Sequence, residues 1–130
     1  MLNSLIPWVC VGIGGLIGSL CRYGVTLLAR DWSISIPYGT LLSNVAGCLV
    51  IGGVMELAAA TEVLSPSARL FLTTGFCGGF TTLSSLIYEL MQMVRNEEWA
   101  YASLYFGLTL AGSVIAFGVG ALTVKTLARL

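Results

Sequence analysis

The chain has 130 residues, 57% of them hydrophobic and 9% charged, with no histidine and a formal net charge of zero. A soluble domain carries about 25% charged residues, so a water-soluble fold is excluded, and nucleic-acid binding has no basic patch to rest on. The lack of histidine, of a GxSxG nucleophile turn and of any gathering of Asp31, Glu56, Glu62, Glu89, Glu97 and Glu98 at one depth argues against an enzyme.

About 20 apolar residues span a bilayer, and four such runs cover roughly residues 5–28, 39–60, 68–93 and 99–127. They leave no room for a soluble domain, so residues 1–130 read as a single all-α, four-span membrane domain. The first run lacks the basic start of a secretory signal and is followed by more spans, so it reads as a span itself. Cys10, Cys21, Cys48 and Cys77 all lie inside apolar runs, with neither metal-site nor disulfide-framework spacing. They read as small core residues. Four spans put Arg69, Lys125 and Arg129 on one side and Arg30 and Arg95 on the other. Lysine and arginine excess in short loops sets orientation, and this near-balance predicts insertion both ways up. An antiparallel dimer follows, the assembled equivalent of an inverted repeat; the alternative is one orientation set by one or two charges.

In the first span Gly14 with Gly18, and Gly15 with Ser19, are small residues four apart that let helices approach closely. Arg22 lies about six residues from the centre of that run, or roughly 9 Å, where a charge is costly unless paired or snorkelling. Two readings stand side by side: a positive charge drawing anions into a vestibule, or a partner for helix-end carbonyls. Trp32, Pro37 and Tyr38 mark an interfacial loop. In the second span Thr40, Ser43, Asn44, Gly47 and Ile51 share one helical face. The Asn44 amide carries two donors, and Thr40 and Ser43 beside it favour pore lining over interhelical glue.

The third span holds the densest signal. Residues 75–86 pack three glycines and four hydroxyl residues where a membrane helix would normally spend leucines. Glycine costs roughly 1 kcal/mol against alanine in a helix interior, so glycines at 75, 78 and 79 predict a break. Non-helical backbone at membrane depth survives only where protein buries it or a wet cavity meets it, and such breaks are ion sites. After the break Thr81, Ser84, Ser85 and Tyr88 form a polar stripe beside an apolar one of Leu83, Leu86 and Leu90. In the fourth span Tyr101, Tyr105, Thr109 and Ser113 recur at i+4, a hydroxyl track that could solvate an ion. Serine and threonine also bond their own helix backbone, so the register of all four carries the reading. Gly107, Gly112, Gly118 and Gly120 predict close packing along the same helix.

Three blocks resemble one family: residues 14–23 (GGLIGSLCRY), 39–47 (GTLLSNVAG) and 75–82 (GFCGGFTT). In their order, in length and in the four-span layout the chain is similar to the CrcB/Fluc fluoride channels. That resemblance implies a multi-pass protein of the cell inner membrane. It implies a dual-topology antiparallel dimer with two fluoride pathways, its third helix broken at mid-membrane. A structural sodium ion would sit at the dimer centre on the backbone carbonyls of Gly78 and Thr81. The fluoride pathway would use Asn44, Tyr105, Thr109 and Ser113, with Ser84 and Ser85 as weaker members. The chain departs from the family pattern at Leu83 and Leu86, where phenylalanines are expected to turn electropositive ring edges to the anion. It then pairs with a paralogue that supplies the rings, conducts poorly, or is a divergent variant. The leading expectation is passive fluoride export conferring fluoride resistance, by homodimer or heterodimer. A pore-deficient partner subunit is one alternative. A small proton-coupled drug exporter is another, although it needs a deep carboxylate in span one and Met1–Arg30 has none.

Overall fold

Lipid offers no hydrogen bonds, so each apolar run must satisfy its own backbone, and the helix does so within one segment. The computed structural model describes residues 5–129 and builds four candidate membrane spans from them. The first is α1 (Leu5–Leu28), followed by a single turn at Arg30–Trp32 and then α2 (Tyr38–Ala60). The third span covers Pro66–Arg95 in pieces: α3 (Pro66–Leu70), a π-helical segment (Phe71–Cys77), α4 (Gly78–Phe80) and α5 (Leu83–Arg95). The fourth is α6 (Trp99–Leu127). The four apolar runs thus become helices within a few residues of where composition places them.

The ends of the third span are locally encoded. Ser65 accepts the Ala68 N–H at 3.2 Å and Pro66 follows at the first helical position, where its missing N–H costs nothing. Past the interruption, Thr82 caps α5 by accepting the Ser85 N–H at 3.1 Å.

The glycines act differently from the expectation. The chain stays helical through Gly75, Gly78 and Gly79, and the interruption falls at Thr81 (ψ 156°) and Thr82 (φ −153°). What the glycines do is admit α1. A Cβ on Gly79 would sit 2.5 Å from the Gly15 carbonyl oxygen, and one on Gly14 would sit 2.5 Å from that of Phe71. One on Gly18 would overlap the Phe76 carbonyl and approach the Phe80 nitrogen to 2.9 Å. The π segment, with its wider turn, is the part of the span pressed against this glycine face.

A second close crossing joins α2 to α6. A Cβ on Gly52 would overlap Phe117, and one on Gly120 would overlap Leu49. Gly112 meets Val45, whereas Gly107 and Gly118 face open space, so only half of the α6 glycines pack within this chain. Between α2, α5 and α6 lies a small core of Ile36, Leu86, Met93, Ala102 and Tyr105. The outer faces of all four spans are broadly apolar, as lipid or a second protein surface requires.

Candidate functional site

The interruption in the third span is held open by one side chain. Asn44, on the buried face of α2, accepts the Thr82 N–H on Oδ1 at 2.7 Å and donates from Nδ2 to the Thr82 carbonyl at 3.1 Å. In an unbroken helix that N–H would bond the Gly78 carbonyl four residues back. Asn44 therefore replaces the helical partner of the Thr82 N–H, adds a second donor to the carbonyl that opens α5, and stabilises the extended backbone there. The side chain is only 8% exposed, so these bonds form away from bulk water.

Beside the break lies a cavity of about 280 Å³. Asn44 and Cys48 line it from α2, Thr81 and Thr82 from the break, and Leu83 and Leu86 from α5. Phe106, Thr109, Leu110 and Ser113 close it from α6. Five of the expected pathway residues, Asn44, Leu83, Leu86, Thr109 and Ser113, are thus brought to one space. The two leucines differ in kind: Leu83 is 70% exposed, while Leu86 is 6% exposed and belongs to the core cluster.

The other expected site residues lie elsewhere. Tyr105 is fully buried and donates its hydroxyl to Glu89 Oε2 at 2.6 Å. Thr40 donates to the other Glu89 oxygen at 2.8 Å, so the carboxylate is gripped by two hydroxyls from α2 and α6. Glu89 also borders two smaller cavities near the α1–α2 loop, of about 230 and 210 Å³, one of which includes Arg30. The Glu89 cluster is the feature sequence reasoning left unassigned. Its signal was a carboxylate facing two hydroxyl residues of other spans, visible only once the spans are registered. Ser84 is exposed and Ser85 half-buried around the Thr82 hydroxyl, both 3.2 Å from it. Arg22 donates from Nε to the Gly79 carbonyl at 3.2 Å, joining α1 to the end of the glycine segment.

The same break sets out oxygen donors for a cation. The Thr82 N–H, helical partner of the Gly78 carbonyl, goes to Asn44. The Ser85 N–H, which would serve the Thr81 carbonyl, goes to the Thr82 hydroxyl. Both carbonyls at the end of a half-helix are thereby released from their helical donors, and neutral oxygens of this kind suit a hard cation. Among the described residues no group of three or more His, Cys, Asp or Glu side chains is placed to hold a metal. The fit therefore rests on backbone oxygen.

Residues 9–121 match the family model described as CrcB-like protein, Camphor Resistance (CrcB). The chain is 43% identical over 128 residues to the fluoride-specific ion channel FluC of Chlorobium chlorochromatii, covering 98% of this chain and 99% of that one. It is 46% identical over 115 residues to the protein of the same name from Chlorobaculum tepidum, covering 88% and 91%. It is 44% identical over 115 residues to that from Chlorobium phaeobacteroides strain DSM 266, covering 88% and 86%.

Proposed function

The chain belongs to the CrcB family, and from that premise we infer that it is a fluoride-specific ion channel, a multi-pass membrane protein and not an enzyme. Fluoride enters acidified cells as neutral HF, dissociates and is trapped as the anion; a selective path lets it leave down its electrochemical gradient. The chemical demand is to replace the shell of a small, strongly hydrated anion inside a low-dielectric wall. The observation that carries the reading is the cavity at the break, where Asn44, Thr109 and Ser113 face Leu83 and Leu86.

In this reading Asn44 has two duties. It splints the break through Thr82, and its remaining N–H is available to the anion. Leu83 and Leu86 form the dry side of the path and keep it narrow. Tyr105 and Thr40 fix the Glu89 carboxylate away from that path, which keeps its negative charge from closing the anion route. Arg22 holds the Gly79 carbonyl and adds positive charge near the break, favouring anion entry. Ser84 and Ser85 steady the Thr82 hydroxyl at the mouth.

The carbonyls of Gly78 and Thr81 would hold a structural sodium ion. When bound, that ion supplies fixed positive charge where the two half-helices meet. The near-even split of arginine and lysine between the two sides supports an antiparallel dual-topology dimer, with each break at the shared axis and one fluoride path per cavity. The partner is a second copy of this chain or a paralogue.

Reconstitution in liposomes tests the reading. The purified chain alone should release fluoride, followed with a fluoride electrode, and retain chloride. Equal release of both anions would refute a selective channel, and robust fluoride release by this chain alone would dismiss a pore-deficient subunit.

A further inference from the structure

A negative charge beside an anion route raises the barrier to the ion, and a nearby cation lowers it again. The hydroxyl stripe of α6 leads from the break to such a charge. Thr109 borders the cavity at the break, and one turn earlier Tyr105 donates its hydroxyl to Glu89. Glu89 is half-buried and borders both cavities near the α1–α2 loop, of about 230 and 210 Å³. Its two oxygens are held by neutral hydroxyls, those of Thr40 and Tyr105. Such bonds orient a carboxylate and leave its charge in place.

Among the described residues lining these two cavities Arg30 is the single cation, and it borders the one that Thr40 and Glu89 share. The other cavity holds a second acid, Glu98. Arg30 is exposed, in the turn that follows α1, so it is not committed to the core. A guanidinium keeps its charge at any ordinary pH. Arg95, the other basic residue assigned to this side of the membrane, lines neither cavity.

Resting on the channel reading above, we propose that Arg30 is a positioning residue of the fluoride route, which offsets the Glu89 carboxylate in their shared cavity and so keeps this mouth open to an anion. It acts through the field in that cavity and does not hold the ion. The effect is on rate, and it depends on ionic strength, because salt screens exposed charges. An arginine that merely closed the end of α1 would show no such dependence.

The experiment is fluoride efflux from liposomes containing the full chain or its variants, at constant sodium, with potassium isethionate setting the ionic strength. At about 0.01 M, where screening reaches about 30 Å, Arg30→Gln should slow release about tenfold. At about 1 M, where screening reaches about 3 Å, the difference should shrink to about twofold or less. Arg30→Lys keeps the charge and should match the unaltered protein at both ionic strengths. Arg95→Gln removes the same charge from the same side, with the same effect on orientation, and should stay within about twofold of the unaltered protein throughout. The role of Arg30 is overturned, and the channel reading stands, if Arg30→Gln matches the unaltered protein at low salt or if its loss does not shrink with salt. The same holds if Arg30→Lys is as slow as Arg30→Gln, or if Arg95→Gln loses as much. If the unaltered protein releases no fluoride, the channel reading falls, and this inference with it.

Discussion

Replacing Asn44 by alanine should unlock the break in the third span. Two hydrogen bonds vanish, at 2.7 and 3.1 Å, and both belong to one residue's backbone. The site is 8% exposed, so water does not readily take over the freed groups. The Thr82 carbonyl keeps its bond within α5, so the N–H is the group left without a partner, and an unsatisfied buried donor costs about 1–3 kcal/mol. Double-mutant measurements in membrane helices average nearer 0.6 kcal/mol per bond, because the unfolded span also finds partners; the lower end of the range is therefore the better guide. At a few degrees per kcal/mol, the unfolding midpoint in detergent should fall by on the order of 5 °C. Fluoride release should fall with it. Asn44→Asp separates the two duties: its carboxylate still accepts the Thr82 N–H, but it faces the Thr82 carbonyl without a donor and places negative charge in the cavity. It should suppress release more completely than its thermal loss alone would. An Asn44→Ala protein with an unchanged midpoint would refute the splint, since no other described side chain bonds the Thr82 N–H.

Three other outcomes follow from packing and charge. Gly18→Ala should destabilise the protein or abolish its accumulation, because the new Cβ meets Phe76 and Phe80 backbone that cannot yield, whereas Gly12→Ala, with nothing within 4 Å, should leave the thermal midpoint unchanged or slightly higher. Leu83→Phe should be accepted at its exposed position and raise fluoride efflux, while Leu86→Phe should overfill the core around Tyr105 and Met93 and cost about 1–3 kcal/mol in denaturation assays. Exchanging choline for sodium at constant ionic strength should raise the thermal midpoint with sodium concentration, as mass action requires of a ligand held by the folded state; a midpoint indifferent to sodium would argue against the Gly78 and Thr81 carbonyl site.

Much of this was readable from residues alone, and the reasons are specific. Length and hydropathy fix spans because lipid forbids other solutions. The i+4 spacing of Tyr105, Thr109 and Ser113 puts them on one helical stripe without any coordinates. Tertiary register was not readable. Tyr105 and Thr109 share that stripe, yet Tyr105 turns to Glu89 while Thr109 borders the cavity. The stripe is wide, and two neighbouring helices divide it. The position of the break was read two residues early for a similar reason. Glycine content marks backbone free to bend, but here close packing of α1 against Gly75 and Gly79 holds that backbone helical. The bend falls instead where Asn44 of another span captures Thr82.

The grip of Asn44 on Thr82 also has a consequence for biogenesis. A newly made third span reaches the bilayer with one backbone N–H, that of Thr82, that has no partner within the segment itself. The partner, Asn44, lies in α2, which is made earlier. Left alone, the third span either keeps Thr82 near water or adopts a continuous helix that erases the site. Pairing with α2 is thus part of the insertion of this span rather than a later step. The order of synthesis delivers the clamp before the strand of backbone that it must catch.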